Sequence, residues 1–213
     1  MPKTARKMPK SAVLRRAPKQ DRGKESRSKI LAGAKTLLSQ DGFEKFSMRR
    51  ISAVSGVGLS TIYDYFPSKS SVLHVLLEER LKLRLDIFDR TFATIPTEAK
   101  LTEFIENYLG RMRDEEFWSI YDSGLYSAAK NKAGLQDLFN WYEAETVDRY
   151  VRAFQSTGSK WSAPDLRTAA LYLISISAQF EPGAIMEADR KSRKLTLKLV
   201  HQTFAMVLKE ITS

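Results

Sequence analysis

Apolar residues recur at helical spacing from residue 24 onward. Ile30, Leu31, Ala34, Leu37 and Leu38 fall at i, i+1, i+4, i+7 and i+8, a single face that predicts a first helix starting at about Lys24. That helix should end at Asp41 and Gly42, the glycine being suited to a left-handed cap. Phe43 and Phe46 then supply core bulk. A second helix is expected from Ser47, a good N-cap, with Met48, Ile51 and Val54 buried. Gly56 makes a turn, a short third helix covers residues 59 to 65, and Pro67-Ser68 opens a fourth. Ile51, Val54, Val57, Ile62 and Phe66 are assigned to the core of this small unit.

The fourth helix is longer. Val72, Leu73, Leu76, Leu77, Leu81, Leu85, Phe88 and Phe92 keep helical spacing until Pro96. Further faces follow at Leu101, Phe104, Ile105, Tyr108, Leu109 and Met112, and at Leu135, Leu138, Phe139, Tyr142, Val151 and Phe154. A shorter segment lies between Phe117 and Ala129. Pro164 opens an apolar stretch from Leu166 to Ile185, broken at Pro182-Gly183, and a last helix is expected over about residues 192 to 211. No useful strand alternation and no internal repeat occurs. The expected class is all-α: an N-terminal three-helix helix-turn-helix headpiece, residues 24–69, then a larger helical domain, residues 70–213.

Charge changes the picture. The net charge is +10, and residues 1 to 29 carry eleven Lys/Arg against Asp21 and Glu25. Residues 1–23, with three prolines and few apolar positions, are expected to form a disordered basic arm, and such an arm on a nearly neutral body suits a polyanion. The chain has no cysteine, which leans toward a cytoplasmic location. No apolar run approaches the roughly 20 residues of a membrane span, so no membrane partner is expected.

The helix-turn-helix stretch invites a comparison. Ser55-Gly56-Val57-Gly58-Leu59-Ser60-Thr61-Ile62-Tyr63-Asp64-Tyr65-Phe66-Pro67-Ser68-Lys69 resembles the turn and recognition helix of TetR-type transcriptional repressors. That family reads roughly Ala-Gly-Val-Ser-x-Gly-Thr-Leu-Tyr-x-His-Phe-x-Ser-Lys. Upstream, Ile30-Leu31, Ala34, Gly42-Phe43 and Ser47 are similar to the family's first helix, Gly-aromatic turn and second N-cap. The resemblance covers Arg27 to Val75. Three positions depart from it. Gly58 stands for a serine cap, Ser60 for a glycine that allows close approach to bases, and Tyr65 for a histidine.

The resemblance implies a DNA-binding site. Arg49, placed one turn into the second helix, resembles a base-contacting position, where a guanidinium can pair bidentately with guanine for roughly 1–3 kcal/mol of discrimination. Leu59, Ser60 and Thr61 open the recognition helix with ends that suit thymine methyls and base edges. Tyr63 and Tyr65 would reach phosphates, as would Lys69 at the start of the fourth helix. Lys24, with Arg22 and Arg27, would continue the phosphate track.

The resemblance further implies a homodimer through the last two helices, about residues 165–186 and 192–211, on a palindromic operator. It also implies a small-molecule effector bound in the C-terminal domain. Of the 22 aromatic residues, 17 lie beyond residue 84, and most must be core. Tyr108, Trp118, Tyr121, Tyr126, Trp141, Tyr142, Gln179 and Phe180 mix apolar bulk with polar tips and are the candidate effector-pocket residues.

Enzyme chemistry finds little support. The two histidines, His74 and His201, each sit on an otherwise apolar helix, too few for a histidine-based metal site or triad, and Gly56-Val57-Gly58 follows a helix rather than a strand. No cofactor is implied. Two alternatives stay open: a helical small-molecule-binding module with a vestigial headpiece, and a non-specific nucleoid protein driven by the arm.

Overall fold

A computed structural model describes residues 21–93, 125, 126, 129, 133–156, 158–179 and 190–212. Every described element is an α-helix: α1 Asp21–Asp41, α2 Met48–Ser55, α3 Leu59–Tyr65, α4 Lys69–Ala93, α5 Ala133–Ser156, α6 Ala163–Gln179 and α7 Arg190–Thr212. The chain divides into two compact units. One holds the described residues up to Leu81 and those between Ser119 and Phe139; the other holds the rest.

In the first unit the predicted face of α1 is the core face. Ile30, Leu31, Ala34, Leu37 and Leu38 are buried, as are Phe46, Met48, Ile51, Ile62 and Phe66. The helix α1 begins three residues before the expected Lys24. Gly42 and Gly56 both take the left-handed backbone, with φ 66° and 67°, where a side chain would be strained. Gly33 serves a different need. A Cβ there would lie 3.0 Å from Ser55 Cβ and 3.1 Å from Ser55 N, so its missing side chain lets α2 approach α1.

That approach corrects one expectation. Val54 is 45% exposed and Val57 only half-buried, so neither is a full member of the headpiece core. Met48, Ile51 and Ser55 fall on one face at i, i+3 and i+7, and Val54 sits about 100° away from Ser55 around the helix. The face against α1 ends in a small serine rather than in the valine.

Past its first two residues α4 is buried all round, from Ser71 through Leu77, His74 included. His74 Nδ1 lies 3.9 Å from Glu78 Oε2 and accepts no hydrogen bond. Burial holds the imidazole below its ordinary pKa, against a weaker upward pull from Glu78.

The second unit is built on Phe88 of α4, Val147, Tyr150, Ala153 and Phe154 of α5, Leu166, Ala169, Ala170 and Leu173 of α6, and Val200, Phe204, Leu208 and Ile211 of α7. Phe88 meets Tyr150 edge-on at 5.1 Å between centroids. Arg149 ties α5 to α4 through a two-pronged contact with Asp89, at 2.8 and 3.0 Å, and also binds Glu145 at 2.8 Å. Burial opposes its charge, yet these hydrogen bonds outweigh burial and raise its pKa. The Ser162 hydroxyl caps α6 by accepting from Asp165 N.

The arm up to residue 20, the helical faces at Leu101–Met112, most of the Phe117–Ala129 segment and the break at Pro182-Gly183 lie outside the described residues.

Candidate nucleic-acid interface

Local sequence dictates the helix-turn-helix. The Ser47 hydroxyl accepts from Arg50 N at 3.4 Å and starts α2. At its end, Gly56 N donates to Ser52 O, and the Ser52 hydroxyl donates to Val57 O at 2.7 Å, so one serine fastens both sides of the turn. Val57 N donates in addition to the Ser55 hydroxyl at 3.3 Å. Gly58 is the N-cap of α3 and brings no side-chain cap. Ile62 and Phe66 are fully buried and clamp this seven-residue helix to the core.

With Ile62 pointing inward, the opposite face of α3 is fixed. Ser60 and Asp64 are exposed and Tyr63 is 44% exposed, while Leu59, Thr61 and Tyr65 are half-buried. A short helix thus displays hydroxyls, a phenol and a carboxylate outward from a rigid seat.

The segment containing this motif matches known proteins. The family model described as "Bacterial regulatory proteins, tetR family" matches residues 30–76. An HTH-type transcriptional regulator of Staphylococcus aureus strain USA300 is 35% identical over 72 residues, which is 34% of this chain and 37% of that protein. The chain therefore matches well under half the length of this curated relative. By fold, a transcriptional regulator from Cytophaga hutchinsonii aligns with TM-score 0.68 at 18% identity, covering 88% of this chain and 98% of that one. A TetR transcriptional regulator from Legionella pneumophila aligns with TM-score 0.63 at 15% identity, covering 83% and 96%.

Residues 30–76 carry the DNA-binding segment typical of the TetR family.

Within this TetR-family headpiece the cations divide by partner. Arg50 is taken up internally, donating to Asp41 Oδ2 at 2.6 Å and to Lys45 O at 3.5 Å. Lys35 and Arg27 share Glu79 of α4, at 3.2 and 4.0 Å, and Lys29 pairs with Glu25 at 2.8 Å. Arg49 is exposed and has no ion-pair partner among the described residues. It is the second residue of α2, within the first turn rather than one turn in. Lys69, the first residue of α4, is exposed, with Nζ 5.0 Å from the centre of the Phe43 ring. Lys24 is exposed on α1.

Two residues of this surface escaped sequence reasoning. Asp64 shares the outward face of α3, where a carboxylate can accept from a cytosine amino group and repels phosphate. Phe43 had been assigned to bulk, yet it carries a cation. The spacing of Tyr63 and Asp64 from buried Ile62 could have flagged the first; nothing in the sequence pointed to the second.

Of the candidate effector residues, Tyr126 is half-buried in the first unit, its ring 5.7 Å from Phe139, and Trp141 and Tyr142 are half-buried on α5. Gln179 is the last residue of α6. Tyr108, Trp118, Tyr121 and Phe180 lie outside the described residues. The second unit has an open groove of about 780 Å³ whose described walls include Trp161, Thr168, Tyr172 and Val207 but not Trp141 or Tyr142. Among the described residues no cluster of three His, Asp or Glu side chains could hold a metal, and no helix is long and apolar enough to cross a membrane.

Proposed function

We propose that this protein is a ligand-responsive transcriptional repressor that binds a palindromic operator as a homodimer and leaves it when a small molecule binds. The supporting observation is the two-sidedness of α3: Ile62 and Phe66 are buried while Ser60 and Tyr63 face outward. A helix seated this way can enter a major groove without rearrangement. Arg49, Leu59, Ser60 and Thr61 would address base edges; Tyr63, Tyr65, Lys69 and Lys24 would hold phosphates. Residues 24–69 would form the DNA-binding domain and residues 70–213 the effector and dimer domain.

The dimer would form through α6 and α7. On α7, Val200, Phe204, Leu208 and Ile211 are buried, yet Leu195, Leu199 and Met206, at i, i+4 and i+11, lie on the other side and are 52–58% exposed. Leu171 and Tyr172 of α6 are also exposed. A helix apolar on both faces has a partner for only one of them among the described residues. The effector would occupy the C-terminal domain, with half-buried Trp141 and Tyr142 among the groups available to it. It would act by favouring one spacing of the two headpieces over another.

Fluorescence anisotropy with DNA selected from a random pool tests the core of this. Binding should be sequence-specific and weaken steeply with salt. A protein that enriches no sequence would instead have a vestigial headpiece, and one whose binding vanishes with residues 1–22 would be a non-specific binder.

A further inference from the structure

The geometry points to Phe43 as a positioning residue for the phosphate-binding lysine: its ring holds the Lys69 ammonium in place while leaving the ammonium's hydrogens available to DNA. This rests on the DNA-binding role proposed above for Lys69.

Three observations converge. Lys69 Nζ stands 5.0 Å from the Phe43 ring centre, within the range in which a ring quadrupole attracts a cation. Phe43 is itself fixed, half-buried and stacked at 6.4 Å on Phe46, which is fully buried. Lys69 also occupies the first position of a 25-residue helix whose first turn has no acidic residue. A cation at the positive end of a helix dipole is unfavourable for stability, and such a local violation marks a residue kept for an external anion.

The contrast with neighbouring cations shows what the ring supplies. Arg50, Lys29 and Lys35 are each met by a carboxylate within 3.2 Å, which occupies a donor and offsets their charge. An aromatic face restrains a lysine without either consequence. The ammonium keeps its charge and its three donors, and a flexible four-carbon stem is already ordered before DNA arrives. The ordering entropy is then partly removed from the binding step.

A double-mutant cycle on the full chain tests this, read by anisotropy on the selected operator with melting curves for each variant. Phe43→Leu should weaken binding about two- to five-fold. In a Lys69→Ala background, which itself should lower the salt slope by about one, Phe43→Leu should change nothing further. Phe43→Tyr, which keeps a ring, should bind as the wild type does. Equal losses from Phe43→Leu in both backgrounds, or a Phe43→Tyr as weak as Phe43→Leu, would overturn the assignment. Should Phe43→Leu not fold, the Lys69 ε-methylene protons of the wild-type protein decide: a ring-current upfield shift is expected, and its absence refutes the contact. If the wild type binds no operator at all, the proposed function fails, and the ring-current measurement still judges the Phe43–Lys69 pair separately.

Discussion

The outward faces of α3 and α7 are both unmatched among the described residues, and they differ in kind. The α3 face offers Ser60, Tyr63 and Asp64 beside a neighbourhood with Arg49 and Lys69. The α7 face offers Leu195, Leu199 and Met206. A surface of hydroxyls and free cations suits a hydrated polyanion, whereas apolar side chains over half exposed suit another apolar surface. One short helix needs a firm internal seat, and Ile62 and Phe66 give it one. The longer α7 keeps apolar side chains exposed on the face opposite its core.

The comparison can be broken most severely at the seat. Phe66→Ala should destabilise the protein by about 3–5 kcal/mol and remove operator binding, seen as a lower melting temperature and a flat anisotropy titration. Binding that survives this change would mean α3 does not depend on that core. On the other face, Leu199→Glu should weaken the dimer about 30-fold or more, since central apolar anchors carry at least about 2 kcal/mol. Sedimentation velocity would show monomers at micromolar concentration, with helicity unchanged; an undisturbed dimer would place the interface elsewhere.

Gly33→Ala should destabilise by about 1–3 kcal/mol through overpacking, because the new methyl meets Ser55 backbone at 3.1 Å. Its signature is a lower urea midpoint, with operator binding intact at low temperature. Arg49→Ala and Arg50→Ala then separate two adjacent arginines. Arg49→Ala should reduce operator affinity by about 1–3 kcal/mol and leave the melting temperature alone. Arg50→Ala should do the reverse, because it releases Asp41. Similar profiles for both would erase the distinction between a free and a committed cation.

The smallest effect expected is pH dependence from His74. Its folded pKa is depressed by burial, so the unfolded chain binds the proton more readily and stability is complete above about 6.5. Stability is lost as pH falls through the folded pKa. Thermal melts between pH 8 and 5 should show a steeper decline for the wild type than for His74→Gln.

Much of the headpiece was legible in the sequence because short-range chemistry decides it. Ser47 marks where α2 starts, Gly56 where it stops and Gly58 where α3 starts, and each is a residue type suited to its cap. Val54 was misplaced because eight residues of α2 allow more than one apolar face, and the choice among them was made by Gly33 on another helix. Arg49 and Arg50 are indistinguishable as neighbours in sequence; Asp41, nine positions away, sorts them. The Phe43–Lys69 contact depends on how the turn after α1 comes back to the start of α4, which no local pattern encodes. For the proposed effector site, polar-tipped aromatics were too common in the second half of the chain to single out a cavity. The exposed stripe on α7 was hidden for a similar reason, since apolar periodicity alone does not say which of two apolar faces the chain covers.

The most direct test of the central claim is selection of random-sequence DNA by the purified protein, followed by sequencing of the bound fragments. A protein that displays α3 twice about a two-fold axis should enrich inverted half-sites whose centres lie about one helical turn, ~34 Å, apart. A consensus without dyad symmetry, or a pool that stays random, would contradict it.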